Sequence, residues 1–325
     1  MAESLTLESV TLESGATLAP VEVAYADYGP RDAPVVFIHH ALTGDAEAVE
    51  WWDTLVGPGR PIDTGRFRVI CANLLGGCKG TTGPSSIDPA TGEPYGLTFP
   101  LFTIRDLVAV HRALLRELGI AKVHAAVGGS LGGMQALQWS LDHPEEVERA
   151  VLICATARLT AQNIAFTKVA REAIMRHDGM DVARMMAHIT YLSNEAMAMK
   201  FDRARRGSPP GPMTMESDFE VEHYLDYQAR IFLARFDKHT YVYLSRTMDY
   251  FEPFAEHSGT PSTKYLVVSF DSDWRFGTEH SEYIQEQLRE RGADVTRREV
   301  RSPWGHDSFL MDVPEYHALV REFVR

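Results

Sequence analysis

The sequence of 325 residues predicts an α/β protein, with a mostly parallel central sheet flanked by helices and a helical segment inserted within the chain. Two observations predict this class. Short continuous apolar runs rich in β-branched residues recur along the chain, and such runs are typical of parallel strands buried on both faces. Patterns with helical spacing lie between several of them, and this alternation favours a parallel sheet with right-handed crossovers.

The individual elements follow from these runs. The predicted strands are 35–40, 67–73, 124–130, 149–155, 264–270 and 294–300. Helices are predicted over 104–120, where Gly119 marks the end, over 133–143, where Pro144 stops the pattern, and over 282–292.

The alternation stops between residues 156 and 255. Helical patterns occur there at 169–177, 182–192, 220–236 and 240–251, with few strand signals and no linker rich in proline or glycine. We therefore predict an α/β core formed by residues 1–155 and 256–325, with a helical lid, residues 156–255, packed on it.

Composition narrows the class of protein. The formal net charge of −13 would be repelled by phosphate backbones, so a nucleic-acid partner is not expected. No run of about 18 apolar residues predicts a transmembrane helix, and the start MAESLTLESV does not resemble a secretory signal. Three cysteines, of which Cys71 and Cys154 lie in apolar runs as expected of buried thiols, indicate a reducing cytoplasm. No C-x-x-C pair or H-E-x-x-H motif indicates a metal site.

A serine lies within a glycine cluster at residues 128–132, Gly-Gly-Ser-Leu-Gly. This segment fits G-x-S-x-G and stands between a predicted strand and a predicted helix, which is the context of a nucleophile elbow in an α/β-hydrolase fold. Ser130 would then lie on a strained turn with its hydroxyl exposed. The alternative is a glycine-rich turn of a nucleotide-binding fold, but the G-x-G-x-x-G spacing is absent.

A serine hydroxyl needs a base, and in this fold the partners follow in the order Ser, Asp or Glu, His. Asp271 and Asp273 come directly after the strand 264–270, and we favour Asp273, although spacing does not decide between them. His306 follows in a glycine-containing loop. It would take the proton from Ser130, and the aspartate would fix its tautomer.

An oxyanion formed at Ser130 needs hydrogen-bond donors. One should be the N–H of Leu131, directly after the nucleophile, and the other should come from the turn after an early strand. The turn HALTGD, residues 40–45, is the natural source, and we predict the N–H of Leu42. His39 and His40 are interpreted as polar caps of that strand.

Several motifs occur together, in order, over nearly the whole chain. They are HALTGDA, ICANLLGGCKGTTGPSSIDPATGEPYG, FTIRDLV, GGSLGGMQALQW, ARLTAQNIAF, HITYLS and GHDSFL. With them the sequence resembles the homoserine O-acyltransferases of the α/β-hydrolase superfamily, usually homoserine O-acetyltransferase. The NLLGGCKGTTGPSS segment distinguishes this family from ordinary esterases. The resemblance implies the triad roles for Ser130, Asp273 and His306 and the oxyanion amides of Leu42 and Leu131.

The resemblance also implies substrate contacts. Arg184 should bind the carboxylate of homoserine, Asp307 should meet its amine, and Tyr191 is a further candidate for the carboxylate. Arg184, His188 and Tyr191 are spaced to share one helix face, and the planar fork of arginine suits a carboxylate. The alternative is an amphipathic lid helix whose arginine only extends its charge to solvent.

The implied activity is a two-step transfer of an acetyl group from acetyl-CoA, a co-substrate, through an acyl-serine to the hydroxyl of L-homoserine. No cofactor is implied. The product, O-acetyl-L-homoserine, is a precursor of methionine, and the resemblance implies a homodimer joined through the lid.

The sequence departs from the family at three points. Only RHDGMDV lies between AREAIM and ARM, WRFG follows Asp273 where a proline is commoner, and Leu131 replaces the commoner methionine. Succinyl-CoA as donor and L-serine as acceptor therefore stay open. A plain esterase would need the triad but not Arg184 and Asp307, and a non-catalytic binding protein would usually have lost a triad residue.

Overall fold

The structure is a computed structural model that describes residues 2–207 and 211–325. In those ranges the strands are β1 (Glu3–Leu7), β2 (Val10–Thr11), β3 (Thr17–Leu18), β4 (Val21–Tyr28), β5 (Val35–His39), β6 (Val56–Gly57), β7 (Ile62–Asp63), β8 (Arg68–Ala72), β9 (Ala125–Gly129), β10 (Arg149–Ile153), β11 (Lys264–Phe270) and β12 (Asp294–Val300). The α-helices are α1 (Ala48–Trp51), α2 (Ile104–Glu117), α3 (Leu131–Asp142), α4 (Ala161–His177), α5 (Met180–Tyr191), α6 (Asn194–Phe201), α7 (Glu220–Leu233), α8 (Lys238–Asp249), α9 (Thr278–Glu290) and α10 (Pro314–Phe323). Short 3₁₀ helices occur at Gly96–Thr98, Pro253–Ala255 and Gly305–Leu310.

The central sheet has eight strands in the order β1-β4-β8-β5-β9-β10-β11-β12. The five pairings from β8 to β12 are parallel, whereas β4 pairs antiparallel with both β1 and β8. The predicted α/β class with a mostly parallel sheet is therefore confirmed. The antiparallel strands at one edge were not predicted, because β1 is largely exposed and carries no continuous apolar run.

The apolar runs of the sheet supply side chains to both of its faces. On β5, Val36 and Ile38 pack into the cluster on one face, whereas Phe37 packs into the cluster on the other. All three side chains are fully buried. This two-sided burial is why the parallel strands read as continuous apolar runs instead of alternating ones.

Most helix boundaries differ from the sequence expectation by one to several residues, and α9, for example, begins at Thr278 and not at residue 282. α3 begins at Leu131, directly after the serine, two residues before the predicted start. α4 begins at Ala161, where the side chain of Thr160 accepts a hydrogen bond from the backbone N–H of Asn163 and caps the helix. The predicted segment 169–177 is only the second half of this helix.

Among the described residues between β10 and β11 there are five α-helices, α4 to α8. They form a small apolar cluster of their own, which includes Ile174, Ala183 and Phe232. Hydrogen bonds tie them to the rest of the chain: Thr247 Oγ1 donates to Phe102 O at 2.9 Å, and Trp274 Nε1 donates to Leu192 O at 2.9 Å. These helices correspond to the predicted lid segment, and the division of the chain into two domains stays a prediction.

Across residues 2–207 and 211–325, no helix combines the length and the apolar character needed to cross a membrane.

Candidate active site

The predicted site residues follow four different strands at one edge of the sheet. Leu42 comes after β5, Ser130 after β9, Asp273 after β11 and His306 after β12. Because these strands are parallel, their carboxyl ends meet at the same edge, where open α/β sheets bind their ligands. Residues far apart in sequence are thereby brought together.

Ser130 occupies a strained turn between β9 and α3. Its backbone has φ 55° and ψ −123°, a conformation that non-glycine residues rarely adopt. Glycines on both sides allow the tight packing: a Cβ atom on Gly128 would lie 2.1 Å from the carbonyl carbon of Gly132, and one on Gly132 would lie 2.0 Å from the carbonyl oxygen of His39. This geometry matches the nucleophile elbow that the sequence predicts.

A chain of hydrogen bonds joins the three predicted triad residues. His306 Nε2 lies 3.0 Å from Ser130 Oγ, and His306 Nδ1 lies 2.7 Å from Asp273 Oδ2. The alternative carboxylate, Asp271, accepts a hydrogen bond from the backbone N–H of Ser302 instead. The structure therefore places Asp273 beside the histidine and Asp271 outside the chain of hydrogen bonds.

The second oxygen of Asp273 is held by the backbone. Oδ1 accepts hydrogen bonds from the N–H of Arg275 at 2.9 Å and of Phe276 at 3.0 Å. Bonds of this kind favour the charged carboxylate. Asp273 is 4 % exposed and His306 is 3 % exposed, so the pair is shielded from bulk water.

His306, predicted in a glycine-containing loop, lies in the short 3₁₀ helix Gly305–Leu310, which begins with a glycine. Gly305, at φ 70°, lets the chain turn into this helix. The first turn of this helix aims the imidazole at Ser130 and brings Asp307 to the same cavity.

Two backbone amides near Ser130 have no acceptor among the described residues. One is the N–H of Leu131, the first residue of α3, and the other is the N–H of Leu42 in the turn after β5. The N–H of Leu131 also lies at the amino terminus of α3, which is the positive end of the helix dipole. Free N–H groups beside a nucleophile suit a developing oxyanion.

A cavity of about 210 Å³ opens in front of Ser130. Its walls come from the turn after β5, the helical segment and the loops that carry the triad. They include Leu42, Trp51, Ser130, Thr167, Arg184, Tyr191, Arg235, Tyr241, Ser245, Arg275, His306 and Asp307. The three residues predicted for substrate binding, Arg184, Tyr191 and Asp307, all line it.

Arg184 is a buried cation without a protein counter-ion. Its side chain, in a residue 8 % exposed, lies above the ring of Phe232 at 4.3 Å. Nε and Nη1 are buried and have no hydrogen-bond partner, and no carboxylate of the described residues lies within ion-pair distance. Buried charges are normally paired, so this geometry leaves the guanidinium with unused donors at the cavity wall.

Asp307 supplies the opposite charge on the cavity wall. Burial raises the pKa of its carboxyl above the ordinary value, partly offset by His306, Arg184 and Lys200. Tyr191 also borders the cavity, and its ring centroid lies 6.0 Å from that of His306. A cation bound next to Asp307 would stabilise the ionised carboxylate.

His188 shares the predicted helix face but does not reach the cavity. Its Nδ1 lies 3.0 Å from the hydroxyl of Tyr224, and burial lowers its pKa to about 3. The imidazole is therefore neutral at ordinary pH. It packs the lid beside Arg184 without adding a second positive charge.

Sequence reasoning did not identify two cationic residues of the cavity. Arg235 follows α7 at the exposed mouth and donates a hydrogen bond to Thr43 O at 3.2 Å, and Arg275 donates to Thr190 Oγ1 at 2.9 Å. The unusual WRFG after Asp273 marks the position of Arg275 in the sequence. No local pattern distinguishes Arg235 from the other lid arginines.

In the part of the chain that the structure describes, two groups of side chains have donor atoms close enough to share a metal ion. They are Cys154 with Asp273 and His306, and His143 with Glu145 and Glu146. In the first group, an ion would have to replace the hydrogen bond between Asp273 and His306. The expectation that the protein needs no metal and no cofactor stays a prediction.

Comparison with known proteins gives matches over most of the chain. Residues 34–313 match the family model of the alpha/beta hydrolase fold. A homoserine O-succinyltransferase of Nocardioides sp. strain JS614 is 50% identical, over 96% of this chain and 94% of the relative. A homoserine O-acetyltransferase of Rhodopseudomonas palustris strain BisB18 is 42% identical, over 98% and 88%. Among solved structures, esterase E22 is similar with a TM-score of 0.89 and 25% identity, over 100% of both chains.

Proposed function

We propose that this protein transfers an acyl group from acyl-CoA to L-homoserine through an acyl-Ser130 intermediate. The chain belongs to the homoserine O-acyltransferases, a family of enzymes with the α/β-hydrolase fold. One observation carries the proposal. Two groups of opposite charge, Arg184 and Asp307, line the same cavity as Ser130, and neither has an ion-pair partner among the described residues. Such a pair suits the carboxylate and the ammonium of an amino acid.

The first half-reaction acylates the serine. Ser130 Oγ attacks the thioester carbonyl carbon while His306 Nε2 takes its proton, and the N–H groups of Leu131 and Leu42 bind the oxyanion. The tetrahedral intermediate collapses, the C–S bond breaks, and the proton passes from His306 to the sulfur of CoA. Asp273 keeps His306 in the required tautomer and stabilises the imidazolium.

The second half-reaction reverses these roles. After CoA leaves, the hydroxyl of homoserine approaches the acyl carbonyl and His306 Nε2 takes its proton. The new ester bond forms, the bond to Ser130 Oγ breaks, and His306 returns the proton to Oγ. The product is an O-acyl homoserine.

Choice of acceptor depends on holding the amino acid more effectively than water. Arg184 would bind the carboxylate through two parallel hydrogen bonds, and Asp307 would bind the ammonium group. Each substrate group would thereby meet a charge of the cavity wall that forms no ion pair within residues 2–207 and 211–325. Positioning the hydroxyl in this way converts a slow bimolecular step into a reaction within one complex.

Acetyl-CoA is the donor expected from the sequence, and this expectation stays a prediction. A specific observation favours succinyl-CoA as a second candidate. Arg235 and Arg275 also line the cavity and have no carboxylate within ion-pair distance in the described chain. The free carboxylate of a succinyl group would provide such a partner, and a relative with 50% identity carries the name homoserine O-succinyltransferase.

Parallel assays separate the candidates. Purified protein is mixed with acetyl-CoA or succinyl-CoA, each with L-homoserine, L-serine or no acceptor, and CoA release is followed. Homoserine-dependent release supports the proposal, whereas release unaffected by homoserine would identify an esterase. Ser130→Ala should abolish release.

The donor is tested further at the mouth of the cavity. If succinyl-CoA is the donor, Arg235→Gln should weaken its use relative to acetyl-CoA. Arg230→Gln is the matched control, since Arg230 is an exposed arginine of α7 outside the cavity. An equal effect of both variants would argue against a carboxylate contact at Arg235.

Assembly and location complete the proposal. We propose a homodimer joined through the lid, supported by exposed apolar side chains on α5 and α7, among them Val182, Ile189 and Leu233. A cytoplasmic location is supported by three free cysteines in the described chain. Light scattering of the purified protein tests the dimer, and a monomeric mass would contradict it.

A further inference from the structure

His40 is a buried residue that the proposed chemistry does not use. It lies 1 % exposed between β5 and the turn that carries Leu42. Its Nδ1 lies 2.8 Å from the carbonyl oxygen of Ala41, and its Nε2 lies 3.3 Å from the backbone N–H of Leu74 and 3.0 Å from Asn73 Oδ1. Both ring nitrogens therefore contact groups of fixed position.

These contacts define the tautomer of His40. The Ala41 carbonyl accepts hydrogen bonds only, so Nδ1 must carry the proton, and the Leu74 N–H donates only, so Nε2 must be the acceptor. Burial lowers the pKa of His40, which keeps the ring neutral. Asn73 Nδ2 is buried without a partner, and exchanging the two amide atoms of Asn73 would direct a second donor at Nε2.

The Ala41 carbonyl belongs to the same peptide unit as the N–H of Leu42. In a trans peptide the carbonyl and the N–H point in opposite directions. Holding the carbonyl towards His40 therefore turns the Leu42 N–H away from His40. The N–H of Gly44 also donates to the Ala41 carbonyl at 2.9 Å, so two hydrogen bonds hold this carbonyl in place.

We propose that His40 is a positioning residue that orients the Ala41–Leu42 peptide so that the Leu42 N–H receives the oxyanion formed at Ser130. His40 acts through the backbone and does not touch the substrate. Its neutral Nδ1–H is the required feature, in contrast to His306, which exchanges protons. The inference rests on the proposed acylation of Ser130 and not on the identity of the acceptor.

Gln135 on α3 joins this arrangement to the second oxyanion donor. Its Nε2 donates to the carbonyl of His40 at 3.3 Å and to the carbonyl of Leu131 at 3.1 Å. The side chain is fully buried, so its bonds do not compete with water. One amide thereby fixes the distance between the turn of Leu42 and the first residue of α3.

Two substitutions separate the roles of the two ring nitrogens. In His40→Asn, the amide nitrogen takes the place of Nδ1 and still donates to the Ala41 carbonyl. In His40→Gln, the amide reaches the place of Nε2, and the donor to Ala41 is lost. Thermal unfolding of both variants reports whether the fold is retained.

The readout is the acylation rate constant of Ser130, measured with acyl-CoA and with p-nitrophenyl acetate. His40→Gln should lower it by about 100-fold with KM little changed, the effect of losing one oxyanion donor, whereas His40→Asn should stay within about 5-fold. Equal losses in two folded variants, or full activity of His40→Gln, would overturn the inference. Because the ester needs no homoserine, a protein that lacks homoserine dependence but keeps the difference between the variants would refute only the proposed acceptor.

A second measurement covers the case in which His40→Asn does not fold. A trifluoromethyl ketone forms a tetrahedral oxyanion with an active serine, so its affinity reports on the oxyanion site. His40→Gln should bind it more weakly by the same factor by which acylation slows, with the pH dependence of acylation unchanged. Unchanged affinity of the ketone would contradict the assigned role.

Discussion

Arg184 provides the most direct test of amino-acid recognition. Its guanidinium lines the cavity, where Nε and Nη1 have no hydrogen-bond partner among the described residues, and we expect the guanidinium to bind the homoserine carboxylate. Arg184→Gln keeps much of the side-chain volume but removes the charge and the paired donors. The substitution should therefore affect the second half-reaction and spare the first.

The magnitude follows from the contacts. Hydrogen bonds to charged groups contribute about 1.5–3 kcal/mol each. Because glutamine retains one donor, we expect a net loss of about 2–4 kcal/mol in homoserine binding, equivalent to a rise of about 30- to 900-fold in the concentration required. The free protein should not lose stability by a similar amount, because Nε and Nη1 form no hydrogen bonds to any side chain or backbone group that the structure describes.

The assay measures the half-reactions separately. Acyl-enzyme formation is followed with acyl-CoA alone, and the dependence of its discharge on homoserine concentration is then determined. Arg230→Gln serves as the exposed control, with both steps expected to match the unmodified protein. Equal losses in acylation and discharge for Arg184→Gln, or an unchanged homoserine requirement, would refute a carboxylate contact.

Three further predictions concern charge and burial. Burial raises the pKa of Asp307, so its carboxylate is neutralised as pH falls through that raised pKa, and the homoserine concentration needed for half-maximal rate should then increase. In Asp307→Asn this concentration should be higher at every pH and should no longer depend on that ionisation, which kinetics measured against pH would show. Burial lowers the pKa of His111 to about 3, so below about pH 6.5 the unfolded state binds a proton that the folded state does not. Between about pH 6.5 and about pH 3, this residue should therefore lower the free energy of unfolding by about 1.4 kcal/mol per pH unit. Chemical unfolding should show this slope reduced in His111→Phe and retained in His177→Phe, where the histidine is exposed. Arg171 and Asp249 form a buried ion pair between α4 and α8. Asp249→Asn should therefore lower the melting temperature and reduce the free energy of unfolding by about 3 kcal/mol. An unchanged melting temperature would mean that the ion pair does not stabilise the packing of these two helices.

Local patterns predict the parts of the fold that are continuous in sequence. Runs such as 264–270 appear as strands because both faces of the sheet bury their side chains. β1 carries no such run, because it lies at the edge of the sheet with much of its surface in water. Its pairing with β4 depends on contacts that no local pattern records.

The candidate site is partly predictable for the same reason. Ser130 and Leu131 occupy a motif with its own backbone requirement, whereas the choice between Asp271 and Asp273 depends on which carboxylate faces His306 in three dimensions. Arg235 joins the site only through the packing of the lid. The sequence therefore identifies the residues of the proposed acyl transfer more readily than the residues proposed to select the acyl-CoA donor.

The central claim is that Ser130 carries the acyl group between two substrates. Intact-mass spectrometry after mixing the protein with acyl-CoA should show one added acyl group, located at Ser130 by peptide mapping and removed rapidly when homoserine is added. Absence of this adduct in the unmodified protein under conditions in which CoA is released, or an equal adduct in Ser130→Ala, would contradict the account.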